Sequence, residues 1–281
     1  MAKNEKSWKD YGVSETVGFI LVFGIMMSGI ALVTLYGYPA LLDAQENANI
    51  RNMERNMISL QSDVNALTYK AVPYKETTMQ VSGGVLSVVG PNDAEKWFTV
   101  YDNTDFKHLI PSDYSLDNKF SPGNLKFLSD SDIIIISLQN GAVVKRQSDG
   151  SVMIAEPRWF IDESTSGGSV VRTLVITLIQ IDSNPPGEGM AKSGIANVQM
   201  AIKPLIIDIP NDDNILEYGP FDSGHQIRIE YRDIKFDYRT AWENYFKYTL
   251  DMEEVVGPPN WEITGINRII IKAWKINIIN I

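Results

Sequence analysis

From Thr16 to Leu42 the chain runs for 27 residues without a charged side chain. Val17, Phe19 to Phe23, Ile25 to Met27, Ile30 to Val33 and Leu35 supply its apolar bulk. As a helix this stretch is about 40 Å long, more than the roughly 30 Å hydrocarbon core of a bilayer and far beyond the apolar region of a secretory signal. A helix apolar on every side needs apolar surroundings on every side, so the stretch predicts a transmembrane span and makes a membrane the first expected partner. Lys3, Lys6 and Lys9 precede it, and Asp43 and Glu46 follow. Basic residues favour the cytoplasmic side, which places the N-terminus inside the cell and everything after Leu42 outside. The expected location is therefore the cell membrane, single-pass, with an extracellular C-terminal domain. Tyr36 and Tyr38 suit the outer interface, and Gly37 with Pro39 marks a place for a kink.

Past the span the pattern becomes periodic. Ile50, Met53, Met57, Leu60, Val64 and Leu67 alternate spacings of three and four, the a and d positions of a heptad, while Arg51, Glu54, Arg55, Gln61 and Asp63 fall on the other faces. Pro73 sets the latest end of this helix. Such a stripe must be covered. Two covers fit the periodicity equally: the chain's own downstream domain, or neighbouring copies of the same helix.

Beyond about Lys70 the apolar runs are short, β-branched and punctuated by turn residues. Strands are expected at Gln80 to Val89, Trp97 to Tyr101, Ile133 to Leu138, Ala142 to Arg146, Val152 to Ala155, Val170 to Ile181, Ile195 to Ile209, Ile227 to Phe236 and Ile263 to Ile279. Gln139-Asn140-Gly141 and Ser148-Asp149-Gly150 read as hairpin turns. Trp242, Tyr245, Phe246, Thr249 and Leu250 share one face of a helix expected from Arg239 to Glu253, ended by Gly257-Pro258-Pro259, and the aromatic face reads as core packing. The expected class is α+β: a long N-terminal helix, then a mostly antiparallel, sandwich-like domain with one late helix. The parts are a leader-like segment 1–12, a transmembrane helix 13–42, an amphipathic stalk 43–70 and an extracytoplasmic β-rich domain 71–281. Loops rich in Gly, Pro, Asp and Asn at 91–93, 102–123, 164–169, 183–194 and 210–224 are candidate contact surfaces.

The inventory of reactive groups is thin. A net charge of -10 repels phosphates, so no nucleic acid is expected as partner. With no cysteine in the chain, disulfides, thiolate metal sites and cysteine nucleophiles are excluded. His108 and His225, the two histidines, are expected in loops as exposed imidazoles, without a second histidine at ligand spacing, so no metal site and no cofactor are expected. Asn211-Asp212-Asp213-Asn214, with Asp208 or Glu217, is the best oxygen-ligand cluster, but it lacks EF-hand spacing and reads as a solvated turn. Asp162 with Glu163 and Glu253 with Glu254 are sequence neighbours whose side chains diverge. Nucleophile-elbow, Walker and dinucleotide glycine patterns are absent. The expectation is a non-enzyme without catalytic residues.

The stretch Asp10-Tyr11-Gly12-Val13-Ser14-Glu15-Thr16-Val17-Gly18-Phe19-Ile20, followed by the apolar run, resembles the N-terminus of archaeal type IV pilin-like proteins and archaellins. That resemblance implies cleavage by a prepilin-type peptidase between Gly12 and Val13, with Glu15 available to pair with a neighbouring mature N-terminus and copies of the helix packing together. Tyr11 stands where the archaeal pattern has a charged residue, and Glu15 would be third in the mature chain. The Arg172 to Ile179 strand and the Ala241-Trp242-Glu243-Asn244-Tyr245-Phe246 segment extend the likeness to a helix-anchored, β-rich archaeal surface family. The implied role is structural or adhesive, at the cell surface or in a filament. The alternative is an unprocessed single-pass protein with a ligand-binding or scaffolding outer domain.

Overall fold

The computed structural model describes residues 9–70, 72–92, 96–110, 118–131, 133–148, 150–166, 168–204, 214–234, 238–255 and 260–281. The chain divides into two compact units, Met1–Asn49 and Ile50–Ile281.

The described part of the first unit is helical. Helix α1 covers Lys9–Leu32, a π-helical turn covers Val33–Gly37, and helix α2 (Tyr38–Tyr69) begins after it. The Tyr38 amide donates to the Val33 carbonyl, five residues back. Pro39 has no amide hydrogen and its ring crowds the carbonyl four residues earlier, and a widened turn just upstream accommodates both. The site expected to kink is thus where the helix changes its hydrogen-bond period while continuing. Inside the apolar stretch, the Ser28 hydroxyl donates to the Gly24 carbonyl at 2.7 Å, which satisfies it without water.

The second unit is built on a ten-stranded sheet. Its strands are β1 (Tyr74–Val89), β4 (Asn124–Ser129), β5 (Ile135–Gln139), β6 (Ala142–Gln147), β7 (Gly150–Ala155), β8 (Phe160–Ser166), β9 (Ser169–Ser183), β10 (Met190–Pro204), β11 (Ile215–Tyr218) and β15 (Arg268–Asn280). They run in the order β7-β6-β5-β4-β1-β10-β15-β9-β8, with β11 also pairing β15. A five-stranded sheet, β13-β14-β12-β2-β3, comprises β2 (Lys96–Asp102), β3 (Lys107–His108), β12 (His225–Asp233), β13 (Glu253–Val255) and β14 (Asn260–Ile266). Pairing among the described strands is antiparallel except between β15 and β9.

Both faces of the large sheet are covered, and strand parity shows how. In β9, Leu174, Ile176 and Leu178 join one core while Ile179 and Ile181 join the other; in β15, Ile269, Ile271 and Ala273 divide likewise from Ile276 and Ile278. Strands buried on both faces read as continuous apolar runs, which is why 170–181 and 263–279 stand out in the sequence. One core lies between the large sheet, the small sheet and helix α3 (Arg239–Tyr248). The other lies under α2, whose Ile50, Met53, Met57, Leu60, Val64 and Leu67 pack against Met79, Val81, Leu86, Val88, Val198 and Met200. The register of β1 shifts between Val81 and Leu86, around Gly83 at φ 71°. This bulge reverses strand parity, so the odd residues 79 and 81 and the even residues 86 and 88 all face the helix.

The heptad stripe is therefore covered by the chain's own sheet. Gln61, assigned by periodicity to an outer face, is buried instead: its amide donates to the Gly141 and Glu156 carbonyls, both at 2.8 Å. The Gly141 carbonyl belongs to the Asn140-Gly141 hairpin, where both φ values are positive as a type I′ turn requires.

Other expectations are corrected. The 263–279 run breaks at Asn267 into β14 and β15, which join different sheets; Asn267 instead exchanges bonds with Arg172 and accepts one from Phe221. Helix α3 ends at Tyr248 rather than Glu253, because Asp251 takes a left-handed conformation (φ 53°) and Glu253 opens β13. The loops expected at 102–123, 183–194 and 210–224 contain β3, the start of β10 and β11, and within 164–169 the strands β8 and β9 pair through Ser166 and Ser169. Their polar sequences hide pairing that only neighbouring strands supply. Residues 205–209 of one expected strand lie outside the described residues.

Candidate functional site

The apolar helical surface comes first. Val17, Phe19 to Phe23, Ile25 to Met27, Ile30, Leu32, Val33 and Leu35 are exposed. Its most apolar 18-residue window has a mean hydropathy of 2.3, with none of it buried, so one helix among the described residues is long and apolar enough to cross a membrane. Phe19 and Phe23 stack one turn apart, their ring centroids separated by 6.2 Å. Of the residues singled out for processing and assembly, Gly12 and Val13 lie within the helical backbone of α1 and Glu15 is exposed.

A polar cluster forms at one end of the small sheet. Asp102 ends β2, Asp105 lies in the following turn, and His225 opens β12; one donor atom from each lies within 4.8 Å of the others. Asp102 Oδ2 is 2.7 Å from His225 Nδ1. Its other oxygen accepts the Thr104 amide at 2.9 Å and the Asp105 amide at 3.3 Å, an Asx turn that folds Asp105 back toward the imidazole. The turn is lashed to β12: the Asn103 amide donates to the Gln226 carbonyl at 2.8 Å, and the Gln226 amide donates to Thr104 Oγ1 at 2.9 Å. Phe221 lies 3.6 Å from His225, centroid to centroid, nearly parallel to it. His225 is thus a buried strand residue rather than an exposed loop imidazole. Residues 123 positions apart meet here through β2–β12 pairing, a relation that ligand spacing along the chain does not encode. His108 is exposed, on β3, with its ring 5.0 Å from that of Tyr101.

A second polar feature is fully enclosed. Lys96 is 1% exposed, opposite Asp233 in the β2–β12 ladder, and its ammonium lies 4.9 Å from the centre of the Tyr238 ring. Burial pulls its pKa down to about 7, with Asp233 opposing and Lys126 reinforcing the shift. Tyr231 donates to Asp233 Oδ2 at 3.2 Å, and its own pKa is raised by burial.

Trp242, Tyr245 and Phe246 are core, Trp242 meeting Phe98 edge-on at 4.7 Å, while Thr249 is exposed and bonds Glu156. Tyr245 donates to the Trp159 carbonyl at 2.8 Å. Glu163 pairs with Arg172 at 3.0 Å, and Asp162, Glu253 and Glu254 are exposed. Asp208, Asn211, Asp212 and Asp213 lie outside the described residues; Asn214 is buried and Glu217 is exposed.

No curated protein and no solved structure matches this chain. A family model does match residues 12–194, taking in the apolar helix, the striped helix and the strands through the start of β10. The match covers well over half of the chain, which therefore belongs to DUF7289, a family of unknown function.

Proposed function

We propose that this chain is a non-catalytic, pilin-like surface protein, held in the cell membrane by its N-terminal helix, whose β-rich unit serves a structural or adhesive role outside. The observation that carries this reading is the uncovered apolar helix: an 18-residue window at mean hydropathy 2.3 with none of it buried. In water such a surface is unstable, at about 25 cal/mol per Å² of apolar area, and a bilayer removes that cost. Lys3, Lys6 and Lys9 before the span support a cytoplasmic N-terminus. The resemblance around Gly12, Val13 and Glu15 supports peptidase processing and assembly of mature copies.

A second reading has its own support. The stripe from Ile50 to Leu67 is already buried against the chain's own sheet, so it is unavailable to copies of the same helix. That supports an unprocessed single-pass protein whose outer unit binds a ligand or scaffolds a membrane complex, and of the two helical surfaces it leaves the exposed Thr16 to Leu42 stretch open to copies.

The deciding experiment is the N-terminal sequence and intact mass of the protein recovered from native membranes or surface filaments, after an alkaline wash that strips peripheral proteins. Retention with a start at Val13 supports the pilin-like reading. Retention with Met1 or Ala2 present supports the single-pass scaffold. Release by the wash overturns both.

A further inference from the structure

We propose that Asp102, Asp105 and His225 form a binding site for one divalent transition-metal ion of the zinc class. The donor set decides the class. One imidazole with two carboxylates is a mixed nitrogen and oxygen set suited to zinc and its first-row neighbours, whereas calcium and magnesium prefer oxygen ligands throughout. The geometry is close to what such an ion needs. Ligands held at 2.0 to 2.2 Å in a tetrahedron lie roughly 3.3 Å apart, and these donor atoms lie within 4.8 Å of one another. Asp102 Oδ2 and His225 Nδ1 sit at 2.7 Å and need only part slightly, the ion replacing the proton they share. Asp105 closes the remaining gap by side-chain rotation, which its exposure permits.

The surroundings are those of a prepared site. The Thr104 and Asp105 amides orient the Asp102 carboxylate through its second oxygen, leaving Oδ2 toward the imidazole. Phe221 fixes the plane of the ring and shields one of its faces. The bonds from Asn103 to Gln226 and from Gln226 to Thr104 hold the turn on β12, so Asp102 and His225 are fixed in place while the Asp105 side chain swings in from an anchored backbone. Three protein ligands leave a fourth position for water on the Asp105 side, where a carboxylate or another oxygen donor of a partner would exchange with it. Bound there, the ion would also clip the 102–105 turn to β12 and stabilise the unit.

The test uses the full, tag-free chain in detergent, titrated with Zn²⁺ against a chromophoric chelator and, separately, followed by thermal unfolding with Zn²⁺, Ca²⁺ or Mg²⁺. One equivalent of Zn²⁺ is expected to bind and raise the melting temperature, with Ca²⁺ and Mg²⁺ without effect at the same concentration. Asp105→Asn preserves the Asp102–His225 pair and is expected to leave the metal-free melting temperature unchanged while weakening Zn²⁺ binding about tenfold or more. His225→Gln is expected to abolish binding, and His108→Gln to leave it intact. Absence of saturable Zn²⁺ binding by the unmodified chain overturns the proposal. So do equal affinities for the unmodified chain and Asp105→Asn, a preference for Ca²⁺, or loss of binding in His108→Gln.

Discussion

Phe19 and Leu35 are 71% and 67% exposed, whereas Met57 and Leu60, farther along the same helical course, are fully buried. The upstream stretch is apolar around its whole circumference; the downstream one gathers its large apolar residues, Ile58 apart, into a stripe flanked by Arg51, Glu54, Arg55 and Asp63. The difference teaches which cover each stretch can use. A stripe is matched by one sheet face of the same chain, and helix α2 finds it on β1, β10 and their neighbours. A surface without a polar side finds no single face that suffices and calls for a medium.

That contrast can be broken by experiment. The largest effect belongs to charge in the uncovered stretch. Val22→Arg combined with Ile25→Arg adds about 5–7 kcal/mol to insertion, so the protein is expected to leave the alkaline-washed membrane fraction; unchanged sedimentation would remove the anchor. Next comes truncation under the stripe. Leu60→Ala, at a fully buried position, should destabilise the 50–281 unit by about 2–5 kcal/mol in chemical denaturation. The matched change Ile20→Ala in detergent should leave that transition where it was, and equal losses from the two would show that the units are not energetically distinct.

A third test turns on titration inside the β-rich unit, where a lysine and several tyrosines are buried. Lys96 has a folded pKa of about 7 against 10.5 when free. Between those values the unfolded state binds a proton that the native state does not, so stability should rise with pH, by a few kcal/mol across the window. Above pH 10 the sign reverses, since burial keeps Tyr231, Tyr238 and Tyr245 protonated in the native state after the unfolded chain has released those protons. Denaturant midpoints measured from pH 8 to 11 should therefore pass through a maximum near pH 10, and Lys96→Met should flatten the rising limb. The smallest effect expected is for Gln61→Leu. It leaves the Gly141 and Glu156 carbonyls without the amide that bonds them and should cost about 1–3 kcal/mol, visible as a lowered midpoint with unchanged slope.

Much of the fold was legible because burial leaves a periodic trace. The stripe from Ile50 to Leu67, the runs in β9 and β15, the Asn140-Gly141 turn and the aromatic face of α3 are all local patterns, and the structure realises each of them. What escaped was set by partners. Strand β8 is a polar, exposed edge, and β3, β11 and β13 are two to four residues long, so none carries a periodicity of its own. Gln61 looked like a surface residue until the hairpin carbonyls beneath it were in place. The polar cluster left no sign in the sequence, where Asp102 and Asp105 fell in one expected loop, since His225 joins them only through the pairing of β12 with β2.

The sequence by itself determined that this chain has a helix with no polar side and a downstream helix with one apolar stripe, because hydropathy and periodicity are properties of neighbours along the chain. It determined equally that the rest is mostly strand, through β-branched runs and turn residues at short intervals. Only the tertiary structure decided what covers the stripe, how a bulge at Gly83 keeps β1 facing it, and that a carboxylate and an imidazole 123 residues apart share one site. Those outcomes depend on which strands pair and in which register, and that choice is made by whole faces burying one another rather than by any local segment.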